Sequence, residues 1–426
     1  MQPPLKIFNI RQKFAKSSLI NLDTEVNALL DGFELAKKVQ KGERIGLTAG
    51  SRGIKDEQRI FKVLIERLKT LGASPFIVPC MGSHGGGTAE GQLAVLRDLG
   101  ITEEATGAPI LSSMEVVEIG CTQFGTPILI DKNLSSVDKI IVINRIKPHT
   151  HFEGKIEGGL IKMMVIGMGK HRGAQIAHRL AIEHGLPRVL SEMGSIILRK
   201  LPIFFGIGIV ENQFSETAFI DLLEPMDFFE KEETLLKKAR RLIPRLPFHQ
   251  IDLLIVDELG KDISGAGMDT KVIGRIPSGK KLTLRKPEIT RIFVRDLSEG
   301  SQGNATGIGL ADFTTKRLVD KINYQATYVN CITAVCPADA KIPIFFETDR
   351  EAILRAYETS AALEHMDFRI VWIKNTSALE CFLASTPLLE ETVSNPRLEV
   401  LSDPFEIPFD NRGNLIAPWR SSNSLT

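Results

Sequence analysis

From residue 41 onward, apolar and polar positions fall into alternating short and long periods. RIGLTA (44–49) is a continuous apolar run of strand length, and residues 56–72 repeat apolar positions at helical spacing up to Gly72. SPFIVP (74–79) predicts a second strand, GSHGGG (82–87) a glycine-rich loop, and residues 88–100 a helix opened by Thr88. This succession of strand, helix, strand, loop and helix predicts a parallel sheet whose loops gather at the carboxyl ends of the strands. Residues 101–135 break the pattern with short alternating pieces (MEVVEIG, TPILIDK), as an antiparallel excursion would.

Regularity returns at Asp138 with KIIVINRI, a buried-type strand. Beyond it, a helix is expected at 187–199, a strand at 204–212 and a short strand near Thr217. Residues 228–246 predict a charged amphipathic helix acting as a connector, broken by Pro244 and Pro247. A second α/β succession starts with the strand at 250–260 and continues with strands at 290–297 and 368–375 and helices at 308–322 and 348–364. The fold class expected is α/β: two α/β domains with mainly parallel sheets and an active-site cleft between them. Residues 1–247 would form the first domain and 248–426 the second, with the tail 404–426 wrapping the surface and able to pack back on the first.

Composition changes this picture little. A chain of 426 residues with 43% hydrophobic and 25% charged residues and a net charge of +1 has no electrostatic footprint for nucleic acid or a membrane surface. The start of the chain lacks a signal-peptide core, and no apolar run approaches the roughly 20 residues of a membrane span. A cytoplasmic protein with a small-molecule ligand is the expectation. The five cysteines, never paired as CxxC, are read as reduced and structural.

The chemistry concentrates in residues 144–185, which hold five of the eight histidines: His149, His151, His171, His178 and His184. Imidazoles titrate near neutrality and bind transition metals, so this density marks a site. PHTH puts His149 and His151 on one side of an extended chain, GGLIK sets Lys162 beyond Gly158 and Gly159, and His171 and His178 lie seven apart on one helical face. The spacing matches no closed zinc site. Three further loops carry candidates. TAGSRGIK offers Arg52 and Ser51 to a carboxylate or phosphate, or is a plain turn. GSHGGG places His84 beside Gly85 and Gly86, which admit close approach of a ligand. GKDISGAGMDTK, with Lys261, Asp262 and Lys271, and the polar glycine loop 298–309 could each cradle an anion or be solvated loops.

The GxH loop after the second strand, the PH turn leading to GGxxK, the histidine sixteen residues beyond that lysine, and the GxKD loop of the second domain together resemble nickel-dependent lactate racemase and its relatives, most clearly over residues 41–275. The resemblance implies a nickel pincer nucleotide carried covalently on Lys162 through a thioamide, with His178 as the nickel ligand. It implies His84 and His149 as the pair of acid/base histidines, His151 in reserve near the cofactor, Arg52 as the carboxylate clamp, and Lys271 facing the site from the second domain. The implied substrate is a 2-hydroxy acid, and the implied partners are the enzymes that build the cofactor: a carboxylase/hydrolase, a sulfur transferase and a nickel insertase.

The chain departs from the family pattern at Ala49, Gly53, Gly85 and Met268, and GKIEGGLIK replaces GFSGGRK. Elements that hold the cofactor persist better than those that hold the substrate, which points to a 2-hydroxy acid larger than lactate, or a sugar acid. Two other classes share the residues: a zinc-dependent hydrolase using His149, His151 and His178, and a nucleotide-binding relative without catalysis. His171 and His184 are read as bystanders.

Overall fold

The computed structural model describes residues 5–14, 18–51, 53–150, 152–276 and 287–420. Arg52 and His151 lie outside these residues, so the expectations that fall on them are not met by any geometry below. The chain divides into two compact units, residues 16–243 and residues 1–15 with 244–426. The N-terminal strand β1 (Lys6–Gln12) thus belongs with the C-terminal half of the chain. A single short strand carries no periodic signal of this, because its partners are nearly 400 residues away: Ile7 pairs with Ser385 and with Phe405.

In the unit of residues 16–243, strands β2 (Arg44–Ala49), β3 (Ser74–Pro79), β6 (Lys139–Arg145), β7 (Ile203–Glu211) and β8 (Thr217–Leu223) form one sheet in the order β3-β2-β6-β7-β8. All neighbours are parallel except the β7–β8 hairpin. β4 (Val116–Cys121) and β5 (Pro127–Asp131) make the expected antiparallel excursion. The helices are α1 (Leu22–Gly32), α2 (Leu35–Lys38), α3 (Glu57–Thr70), α4 (Ala89–Asp98), α5 (Glu103–Thr106), α6 (Leu160–Lys162), α7 (Lys170–His184), α8 (Leu186–Lys200) and α9 (Phe228–Leu242). Ile45, Leu47, Ile141 and Ile143 pack against α1 and α3 on one face, while Ile140 and Val142 pack against α6, α8 and α9 on the other. Helix α9 is therefore part of this core rather than a connector, burying Phe228, Leu235, Leu236 and Ala239.

In the other unit, β9 (Gln250–Leu259), β10 (Glu288–Leu297), β11 (Phe313–Thr315), β12 (Ile344–Phe346), β13 (Ile370–Ile373), β14 (Cys381–Ser385), β15 (Leu398–Val400) and β16 (Phe405–Glu406) join β1 in one mixed sheet. Its parallel core runs β12-β11-β10-β9-β13. The helix expected over 308–322 is instead a 3-10 turn, strand β11 and a short helix at Lys316–Asp320. Phe313, Thr314 and Thr315 are all buried between β10 and β12, and two adjacent threonines with a phenylalanine suit that pleat better than a helix. The helix expected over 348–364 is shorter, Asp349–Glu358, with Thr348 as its cap. The tail to residue 420 packs within this unit: Arg295 donates to the Leu415 carbonyl at 2.7 Å and Trp419 to Asp257 at 2.8 Å.

Candidate functional site

In the five-stranded sheet, β2 leads to β3 on one side and β6 leads to β7 on the other. The order reverses between β2 and β6, and a parallel sheet opens a crevice there at the strands' carboxyl ends. The turn after β2 and the end of β6 meet at this point. A Cβ on Gly50 would lie 3.3 Å from the Met163 side chain and 3.7 Å from Asn144 Oδ1. Asn144 in turn donates from Nδ2 to the Gly159 carbonyl at 2.8 Å. The end of β6 thereby holds the glycine pair, and the residue after Lys162 lies against the turn that carries Ser51.

The loop after β3 is built around His84. The His84 Nδ1 is 2.9 Å from the Met81 carbonyl. A carbonyl can only accept, so in the neutral ring Nδ1 carries the hydrogen and Nε2 the lone pair, the tautomer a general base needs. Gly85, Gly86 and Gly87 follow with φ of 64°, 66° and 67°, left-handed backbone that glycine adopts without strain. At Gly85 a side chain would also strike the backbone of Gly91. Thr88 caps α4, accepting from Gly91 N at 3.0 Å.

A buried polar network anchors this loop. Gln92 of α4 donates to the Gly82 carbonyl at 3.0 Å and accepts from Lys170 Nζ at 3.0 Å. Lys170, with no exposed surface, also donates to the Pro79 carbonyl and pairs with Asp131 at 3.0 Å. Burial pushes the Asp131 carboxyl up, and the Lys170 ammonium pulls it down. Lys170 thus ties together the end of β3, α4, β5 and the start of α7. In the sequence it was one cation among several in the histidine-rich stretch.

The PHTH and GGLIK motifs share one loop, closed by a two-way backbone pair between Lys147 and Gly158 at 2.7 and 3.1 Å. Inside it Glu157, fully buried, accepts from His149 N at 2.6 Å and Gly154 N at 3.1 Å. The His149 ring stacks on Phe152 with centroids 4.3 Å apart. Gly159 then starts α6, whose Ile161 N donates to the Glu232 carboxylate at 3.0 Å. A side chain on Gly159 would collide with that same carboxylate, which is why the motif needs glycine there. Burial raises Glu232 to about 7, opposed by the backbone hydrogen bonds from Ile161 and Leu160. Lys162, half-buried, ends α6 and is followed by a π-helical turn, Met163–Gly167. Such turns insert one extra residue per hydrogen-bonded ring and recur at functional sites.

Helix α7 returns past the His84 loop. A Cβ on Gly82 would lie 3.4 Å from Ala174 Cβ, and one on Gly87 would lie 3.4 Å from the His171 ring. His171, read as a bystander, therefore borders the His84 loop. His178 is half-buried one turn beyond Ala174, while His184 stacks on Phe124 at 3.8 Å at the far end of the helix. The loop of His84 follows β3 and that of His149 follows β6, α6 with Lys162 starts beside Asn144 at the end of β6, and α7, which carries His178, begins against the His84 loop.

Glu57, at the start of α3, escaped the sequence reading altogether. It is 2% exposed, and burial raises its carboxyl to about 8, with Arg145 opposing and Glu211 adding to the rise. Glu157 was also missed. Glu232 had a faint signal: it occupies the apolar stripe of α9 shared by Phe228, Leu235 and Ala239.

In the other unit, Lys271 is 8% exposed on the short helix Thr270–Ile273, its N–H donating to Asp269 Oδ1 at 2.8 Å. Lys261 binds Asn330 at 2.9 Å, and Asp262 accepts from Ser298 at 2.6 Å. A Cβ on Gly300 would meet Asp262 at 2.7 Å, so the 298–309 loop is filled by the chain's own carboxylate. Among the described residues, no three His, Cys, Asp or Glu side chains group closely enough to hold a metal ion, and no helix is long and apolar enough to cross a membrane.

A mainly parallel sheet with helices on both faces defines the class: an α/β unit whose candidate histidines and lysine follow β3 and β6. Residues 21–187 match the family model of the lactate racemase N-terminal domain. Among solved structures it is similar to the lactate racemase apoprotein from Thermoanaerobacterium thermosaccharolyticum, at 12% identity and a TM-score of 0.45, over 79% of this chain and 97% of that one. No curated protein matches the sequence.

Proposed function

We propose that the protein is a racemase or epimerase of a 2-hydroxy acid that works with a nickel pincer nucleotide. The observation that carries this reading is that His84, His149, Lys162 and His178 all lie within the segment matching the lactate racemase domain, on the loops after β3 and β6 and on the helices α6 and α7 that follow. The residues fit such a cofactor. Lys162 is a half-buried residue at an α-to-π turn, His178 a half-buried residue on the helix that follows, and Gly158 and Gly159 let the chain before Lys162 pack against Lys147 and Glu232. Lys162 would carry the cofactor and His178 would ligate its nickel, and the cofactor supplies a reversible hydride acceptor.

The chain's own groups handle the proton and the substrate. Nε2 of His84, which bears the lone pair because Nδ1 donates to the Met81 carbonyl, takes the hydroxyl proton of one enantiomer, and His149 serves the other face. His151 is the alternative to His149 in that role. Ser51, Gly85 and Gly86 line the cofactor's approach, and Arg52 pairs with the substrate carboxylate. The enzymes that assemble the cofactor are the partners this chemistry requires.

The test is racemisation of a panel of 2-hydroxy acids, each deuterated at C2, by protein made alongside those enzymes, read by chiral chromatography and mass spectrometry. Inversion with the C2 label retained supports hydride removal and return. Inversion with the label washed into solvent would instead mean simple proton abstraction and contradict the reading.

A further inference from the structure

Helix α9 lies more than forty residues beyond the histidine-rich stretch, yet three of its charged side chains reach into that stretch. Glu232, 1% exposed, accepts from Ile161 N at 3.0 Å through Oε2. Arg240 pairs with Glu157 and donates to the Gly154 carbonyl at 2.7 Å. Glu233 approaches Lys155 at 3.8 Å.

A carboxyl in the apolar stripe of a helix is costly unless its oxygens are satisfied. Glu232 Oε2 finds its partner in Ile161 N–H, one of the first amide groups of α6, which have no acceptor within so short a helix. Those amides directly precede Lys162. Arg240 acts one step further removed: it fixes Glu157, and Glu157 accepts from His149 N at 2.6 Å and Gly154 N at 3.1 Å. Two separate contacts from one helix therefore end at the two functional positions of the loop.

We propose that Glu232 and Arg240 are positioning residues: Glu232 fixes the turn that presents the Lys162 amine, and Arg240, through Glu157, fixes the backbone of His149. The roles of His149 and Lys162 rest on the racemase reading, but the positioning itself is tested without cofactor.

The full-length chain is acetylated briefly with an N-hydroxysuccinimide acetate, and Lys162 modification is compared with that of Lys62, a 61% exposed lysine on α3. Amide hydrogen exchange of peptides covering 148–156 is measured on the same proteins. Glu232→Ala is expected to raise the Lys162 to Lys62 ratio about tenfold while exchange in 148–156 stays within about twofold of the wild type. Arg240→Gln is expected to do the reverse. Glu232→Gln keeps an acceptor of the same shape and should return the lysine ratio to within about twofold of the wild type.

Variants that move both readouts together, or neither, overturn the proposal. If Glu232→Ala does not fold, Arg240→Gln decides, because the Arg240 side chain is 37% exposed: unchanged exchange in 148–156 refutes the clamp. Wild-type protein that never acquires an adduct would sink the racemase reading while leaving these ratios as stated.

Discussion

Glu57→Gln should make the protein more resistant to alkaline pH. The Glu57 carboxyl is buried at the first position of α3, beside Arg145, which is itself ion-paired with Glu211. Two carboxyls thus share one guanidinium, and burial outweighs Arg145, raising Glu57 from 4.5 to about 8. Between those two values the folded state holds a proton that the unfolded state has released. Stability conferred by that proton is fully present below about pH 4.5 and is lost as pH rises through about 8, at about 1.4 kcal/mol per pH unit. From pH 5 to 8 the loss amounts to on the order of 4 kcal/mol.

Glutamine keeps the shape and the neutral state, so it removes this slope and leaves other titrations in place. Thermal unfolding of wild type and variant is compared at half-unit steps from pH 5 to 8. At about 2–4 °C per kcal/mol for a unit of this size, the gap in Tm should widen in the variant's favour by roughly 8–16 °C across the range. Parallel curves would refute the reasoning, since they would mean that Glu57 is already ionised in the folded protein at pH 5.

Two further substitutions probe the loop that carries His84. Lys170→Met strands Asp131 as an uncompensated buried charge and should cost about 3–5 kcal/mol in chemical denaturation, with much of that recovered in Lys170→Met/Asp131→Leu; a neutral single variant contradicts the network. Gly85→Ala forces a side chain into left-handed backbone and onto Gly91, so it should lower stability by about 1–3 kcal/mol, and unchanged unfolding would show that the loop rearranges freely.

The sheet of residues 16–243 was legible because its central strands are largely buried: RIGLTA, SPFIVP and KIIVINRI read as apolar runs, and the loops after them carry the candidate residues. β1, β11 and β12 were not, since three- and seven-residue strands owe their conformation to partners far along the chain. At the site, histidines and a lysine announce themselves by chemical type. Glu157, Glu232 and Lys170 do not, because a buried carboxylate or ammonium is the same letter as a solvated one until its partners are placed. Lys170 and His171 illustrate the limit. The sequence singles out Lys162 for cofactor chemistry and reads His171 as a bystander, while the fold gives Lys170 a structural ion pair and places His171 against the His84 loop.

The central claim is that Lys162 carries a nickel-bearing nucleotide. Intact-protein mass spectrometry with metal analysis, on chain made in a host that has the cofactor-building enzymes, tests it most directly. The account predicts an adduct of the nucleotide's mass that maps to Lys162, about one nickel per chain, and loss of both in Lys162→Ala, with the nickel alone lost in His178→Ala. An unmodified chain without nickel from that host, or an adduct that survives Lys162→Ala, would contradict it.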